Sequence, residues 1–132
     1  MGINGLDEIQ SLALQARLEH ARVALLSQLA DDLDRSTDLR LPLPHQVEAS
    51  PADNASQRTL HAAVHEAATL TARQLDTVRR ALGKFGDQSY GWCERCGEAI
   101  GYSRLDARPE ARFCINCQMR LEQQQRTSVS RR

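Results

Sequence analysis

Leucine and alanine return every three or four residues through the first third of the chain. Leu14, Leu18, Ala21, Leu25 and Leu29 form one such series within residues 6–33, the repeat of an apolar stripe along an α-helix. Ile9, Leu12, Ala16, Val23, Leu26 and Leu33 widen the stripe, and neither Gly nor Pro interrupts it. Asp31, Asp32 and Asp34 then crowd the C-terminal turns, where negative charge opposes the helix macrodipole, so fraying is expected there. The stretch RSTDLRLPLPHQVEA reads as a loop. Pro42 and Pro44 lack a donor N–H and bias the residues before them toward extended backbone.

Helical periodicity resumes at Ser50-Pro51-Ala52-Asp53. Ser50 suits the N-cap, Pro51 the first helical position, and Asp53 the place from which a capping-box acid reaches back. From there Val64, Thr71, Val78 and Phe85 recur every seven residues, with Leu60, Ala67, Ala68, Leu75 and Leu82 filling the same side. The second helix is expected to run to about Leu82–Phe85, with Gly83 and Gly86 marking its end. Each helix would be about 40–50 Å long. Two such helices, joined by one loop, suit an antiparallel two-helix coiled coil. A three- or four-helix bundle needs more partners than the chain supplies, because only one further helix, a short one in INCQMRLEQQQR, is predicted.

Composition separates the chain into two differently built parts. All five aromatic residues lie between Phe85 and Phe113, so the first 84 residues are packed without the side chains that usually dominate a core. The expected organisation is a helical hairpin over 1–86 with a tip loop at about 34–50, a four-cysteine module with its short helix over 87–126, and a flexible basic tail at 127–132. Fold class is therefore mainly α: a long antiparallel coiled-coil hairpin on a small globular cysteine module. The ends of the hairpin would lie near that module and its loop far from it.

Charge narrows the function classes. The chain has 17 basic and 17 acidic residues, which removes the strongly basic signature of a phosphate-binding protein. Residues 31–53 run against this balance, with Asp31, Asp32, Asp34, Asp38, Glu48 and Asp53 opposed only by Arg35 and Arg40. An acidic tip on a long arm suits a cationic or metal-containing pocket. No apolar run approaches the about 18–20 residues a bilayer needs, and MGINGLDEIQ lacks the features of a secretory signal. A cytoplasmic location is expected. Thiols stay reduced there, and clustered cysteines bind metal more often than they form disulfides.

The four cysteines are spaced Cys93-x2-Cys96-x17-Cys114-x2-Cys117. Each C-x2-C pair can wrap a turn so that two sulfurs face one cation, and two such turns complete a tetrahedron. Gly97 suits the open backbone of the first turn. Four protein ligands leave no position for water, so one structural Zn²⁺ is expected rather than a catalytic one. A DNA-reading finger shares this spacing. Between Tyr90 and Leu121, however, five basic residues face four acids, and zinc with four thiolates brings the module to about −1. Sequence-specific DNA binding should need a clearly basic face, and none is expected here. No nucleophile–base pair or open metal position stands out, which argues for a binding protein rather than an enzyme.

The residues between the cysteines are more specific than their spacing. Gly91-x-Cys93-x2-Cys96-Gly97, Ile100-Gly101, Arg104-Leu105, Ala107-Arg108-Pro109 and Cys114-x2-Cys117, behind a helical hairpin, resemble the DksA/TraR family of bacterial transcription regulators. The resemblance covers most of the chain. It implies a zinc-containing base that carries a coiled coil, and a monomer that binds RNA polymerase by entering its secondary channel. It implies a tip pattern Asp-x-x-Asp-x-Ala, onto which Ser50-Pro51-Ala52-Asp53-Asn54-Ala55 falls. Asp53 and Ala55 match, while Ser50 replaces the first acid. It also implies a site for the stringent-response alarmone ppGpp. Arg108 matches that site, but Thr77 and Gln118 stand where lysines are expected. A polyphosphate should bind more weakly without those charges, so weak or absent ppGpp synergy is predicted. A redox-responsive zinc thiolate protein is a second reading of the same scaffold, with Arg95 and Arg112 positioned in sequence to favour reactive thiolates. His61 and His65, four apart on the second helix, read as solvent-facing side chains.

Overall fold

The computed structural model describes residues 4–40 and 51–130, with side chains described over 4–37 and 54–127. Four helices follow in order: α1 (Glu8–Arg40), α2 (Pro51–Gly86), α3 (Tyr102–Ala107) and α4 (Ile115–Ser130). Among the described residues the only extended pairing is an isolated antiparallel bridge between Trp92 and Ala99. The chain divides into two compact units, Met1–Ala21 with Thr77–Arg132, and Arg22–Asp76.

In the unit Arg22–Asp76, α2 buries Val64, Ala68, Thr71 and Leu75, and α1 buries Asp32. The two helices meet where Thr71 Oγ1 donates to Asp32 Oδ2 at 3.1 Å. Their sense follows from chain length. In a parallel pairing at this contact, Arg40 and Pro51 would lie about 42 Å apart along the axis. The ten residues between them reach at most about 40 Å, so the helices are antiparallel. Between Asn54 and Ala63 no side chain is buried.

α1 is longer than its sequence suggests. The loop predicted from residue 34 does not begin before the end of α1 at Arg40. The expected fraying at Asp32 is replaced by three hydrogen bonds to its carboxylate, from Thr71, Gln28 and Arg35. These outweigh a macrodipole penalty of about 0.3–1 kcal/mol. The apolar stripe is also narrower than expected. Ile9, Leu12, Val23 and Leu33 are 80%, 59%, 58% and 53% exposed, because a helix with a single long partner buries one seam rather than a broad face.

In the other unit, Leu6, Leu14, Leu18, Val78, Ala81, Tyr90 and Leu105 are buried. α1 opens with a capping box: Gln10 N donates to Asp7 Oδ1 at 2.7 Å, and Asp7 N donates to Gln10 Oε1 at 3.1 Å. α2 ends at Gly86, but neither Gly83 nor Gly86 has positive φ. Gln88, at φ 64°, makes the left-handed turn. The short helix α3 had no periodic signal in its six residues. α4 runs to Ser130, so the tail predicted to be flexible from residue 127 is helical there, and Thr127 Oγ1 donates back to Gln123 O at 2.9 Å. Arg131 and Arg132 lie outside the described residues.

Candidate metal centre

The first cysteine pair sits on a tight reversal of the chain. Ile100 N donates to Gly91 O at 2.8 Å, Cys93 N to Glu98 O at 2.8 Å and Gly97 N to Cys93 O at 3.0 Å. Gly97 takes φ 76°, which an L side chain resists. The second pair straddles the start of α4, where Gln118 N donates to Cys114 O at 2.9 Å. Glu94 N donates to Arg112 O at 2.9 Å and joins the two halves. The result brings the four Sγ atoms within 4.8 Å of one another.

That geometry fits one cation. The Cys96 and Cys114 sulfurs lie 3.8 Å apart, far beyond a disulfide's about 2.05 Å. A tetrahedron with Zn–S bonds of about 2.3 Å has edges of about 3.8 Å. Cys93 and Cys117 are buried, Cys114 is half-buried and Cys96 is exposed. Burial pushes the Cys93 thiol up, but N–H groups of Cys96, Cys114 and Arg95 aimed at its sulfur outweigh this and bring it to about 6. Burial and the crowding of neighbouring sulfurs push Cys117 up to about 12. Cys96 is also raised, the Glu98 N–H being outweighed by burial and by Cys93 and Cys114. Four thiols this close resist joint ionisation, and a divalent cation reverses that penalty. Bound Zn²⁺ would supply charge and a cross-link between the two pairs; as a closed site it would have no position for substrate.

Side chains around the cluster tie it to the helix ends. Glu94 receives Lys84 Nζ at 3.2 Å and also pairs with Arg112. Burial raises the Glu94 carboxyl, but the Arg112 and Lys84 bonds win and hold it below the ordinary carboxylate value. Tyr90 stacks on Phe85 with ring centroids 4.0 Å apart, and its hydroxyl donates to Pro109 O at 2.9 Å. Arg104 Nε donates to Phe113 O at 2.9 Å, and Arg17 of α1 pairs with Asp106 of α3 at 3.1 Å. Asn4 Nδ2 donates to Tyr90 O at 2.6 Å, against Gly91.

The remaining predicted residues fare differently. Asp53 falls within α2, but its side chain lies outside the described residues, as does Ser50 entirely. Ala55 is exposed on α2. Arg108 caps the end of α3 and pairs with Glu110 at 3.5 Å. Thr77 is half-buried, and Gln118 donates to Glu122 at 3.1 Å. Arg112, expected to face the thiolates, is turned to Glu94 and lies over the Phe113 ring at 5.2 Å. His65 is exposed, while His61 is half-buried. The sequence reading missed the Asp32–Thr71 contact and the roles of Asn4 and Glu94. Asp32 was legible in one respect: Leu18, Leu25 and Asp32 are spaced by seven, so extending the heptad places it in the seam.

The profile of the prokaryotic dksA/traR C4-type zinc finger matches residues 88–123. The RNA polymerase-binding transcription factor DksA of Escherichia coli K12 is 33% identical over 110 residues, 78% of this chain and 70% of that protein. The protein of that name from Caulobacter vibrioides is 33% identical over 112 residues, 83% of this chain and 79% of the relative. Transcription factor DksA2 from Pseudomonas aeruginosa superimposes with a TM-score of 0.78 at 29% identity, covering 91% of this chain and 88% of its own.

Proposed function

Because the chain belongs to the DksA/TraR family of C4-type zinc-finger proteins, we propose that it is a non-catalytic transcription regulator that binds RNA polymerase. One observation carries the reading. The 33% identity to a protein named for polymerase binding extends over 110 residues, well beyond the 36-residue span 88–123 of the zinc-finger match. The helical arm enters the polymerase's secondary channel, with Asp53 and Ala55 working at its tip. One structural Zn²⁺ on Cys93, Cys96, Cys114 and Cys117 holds the base. The protein acts as a monomer in the cytoplasm and reads no DNA sequence itself.

Synergy with ppGpp is weak or absent in this reading. Arg108 is already paired with Glu110, and Gln118 and Thr77 bring no charge to a polyphosphate.

Competition for core RNA polymerase against another secondary-channel factor tests the reading, with wild type and Asp53→Asn. Each protein is then assayed on a short-lived open complex, with and without ppGpp. Both proteins should compete, only wild type should change the lifetime of the complex, and ppGpp should add little. Absence of competition removes the polymerase reading. The exposure of Cys96 favours the redox-responsive zinc protein as the second reading. Zinc release and helix loss at modest peroxide would support it, and an inert site would end it.

A further inference from the structure

Asp32 and Thr71 are the two buried polar side chains among the described residues, 3% and 7% exposed. They share a seam with Val64, Ala68 and Leu75. Thr71 Oγ1 lies 3.1 Å from Asp32 Oδ2. Gln28 Nε2 at 3.1 Å and Arg35 Nη2 at 3.4 Å donate to the other carboxylate oxygen. Every polar atom of this carboxylate is therefore partnered, and two of the three donors come from α1 itself. The bond to Thr71 is the one that crosses to α2.

Apolar packing by itself specifies this seam weakly. Its side chains are aliphatic, and the α2 positions repeat every seven residues as Val64, Thr71 and Val78. Sliding α1 by one heptad, about 10 Å, sets aliphatic groups against aliphatic groups again. The ten residues from Arg40 to Pro51 leave enough chain to permit such a slide. α1 continues into the other unit, where Leu14 and Leu18 are buried; within Arg22–Asp76 the side chain that opposes the slide is Asp32. Seven residues to either side of Thr71 it would meet Val64 or Val78, burying a carboxylate against an alkyl group. A polar residue at one seam position is the best-attested way to select a register.

We propose that Asp32 and Thr71 are a positioning pair that sets the register of α1 against α2 within Arg22–Asp76. The pair thereby determines where the first turns of α2, with Asp53 and Ala55, stand relative to α1. Its consequence for transcription rests on the polymerase reading above; the register itself does not.

The test uses the full-length zinc-loaded protein with the double substitution Asp32→Leu/Thr71→Val, beside Asp32→Asn as the conservative variant. Amide ¹H–¹⁵N spectra, chemical unfolding and competition for RNA polymerase are measured on each. The double variant should unfold at or above the wild-type midpoint. Its amide signals from residues 22–76 should split or broaden, while those of the cysteine module stay single. Competition should weaken about three- to tenfold, in proportion to the fraction left in the competent register. Asp32→Asn keeps a polar partner for Thr71 and should retain single signals and wild-type competition. A single sharp set of signals in the double variant overturns the proposal, whether its unfolding midpoint is kept or lowered. Should wild type itself fail to compete, the polymerase reading falls and the spectra alone decide the register.

Discussion

Replacing Gly91 by alanine strikes the contact between the start of the chain and the cysteine module. Gly91 has φ +90°, and a Cβ built there stands 2.6 Å from Asn4 Nδ2 and 3.1 Å from Asn4 Cβ and Cγ. Asn4 cannot swing aside freely. Its Nδ2 donates to Tyr90 O at 2.6 Å and its Oδ1 accepts from Leu6 N at 3.2 Å, next to the fully buried Leu6. Displacing the side chain loses two hydrogen bonds at about 0.5–1.5 kcal/mol each. Alanine at this φ adds backbone strain of about 1–3 kcal/mol. Gly91→Ala should therefore cost about 2–6 kcal/mol in all. Asn4→Ala alone should cost only the bonds, about 1–3 kcal/mol. On that background Gly91→Ala should cost only the strain, so the pair is less harmful together than the sum of its parts. Guanidinium unfolding at fixed free Zn²⁺, followed by Trp92 fluorescence and circular dichroism, measures all four proteins of the cycle. The reasoning fails if Gly91→Ala costs less than about 0.5 kcal/mol, or costs as much without the Asn4 side chain as with it.

Zinc analysis should return one ion per chain, and Cys114→Ser or a strong chelator should unfold the module around residues 88–123, read as lost Trp92 signal; undisturbed fluorescence after complete removal would show the ion is not structural. Thr71→Val should destabilise by about 1–3 kcal/mol, because it leaves the buried Asp32 carboxylate without its bond from α2, while Asp32→Leu should cost less since the single hydroxyl proton of Thr71 can turn to Ala67 O, 3.0 Å away. Chemical unfolding of the two single variants compares these costs directly. Burial, with a smaller push from Glu110, raises the Tyr90 phenol above its ordinary value of 10.0. Its folded form holds the proton more tightly, so this contribution to stability is complete below about pH 10 and is lost as pH rises through the raised value. The stability gap between wild type and Tyr90→Phe should stay flat to about pH 10 and then narrow; a gap that widens would reverse the argument.

Much of this protein was legible without coordinates, for physical reasons that can be named. Heptad spacing through Val64, Thr71 and Val78 is a local signal of helix and buried face, because the α-helical turn is fixed by backbone geometry. Two C-x2-C turns carry their metal chemistry in spacing alone, and the four sulfurs do converge. Less local features misled. Runs of acid beyond Asp31 suggested a frayed end, yet α1 continues to Arg40. Gly86 does close α2 as its sequence suggested, although Gln88 rather than a glycine makes the left-handed turn.

The periodic sequence by itself determined that two long helices would pair and that four thiols would gather, since heptad spacing and each C-x2-C turn are set by residues close together in the chain. Only the tertiary structure decided which apolar residues are covered, that Arg112 serves Glu94 rather than the thiolates, and that Asn4 closes against Gly91. It also decided that Asp32, which propensity assigns to solvent, lies in the seam beneath Thr71. A buried carboxylate is tolerated only where donors satisfy it; Gln28 and Arg35 lie one turn away on α1, but the bond from Thr71 of α2 comes from folding, not from any local pattern.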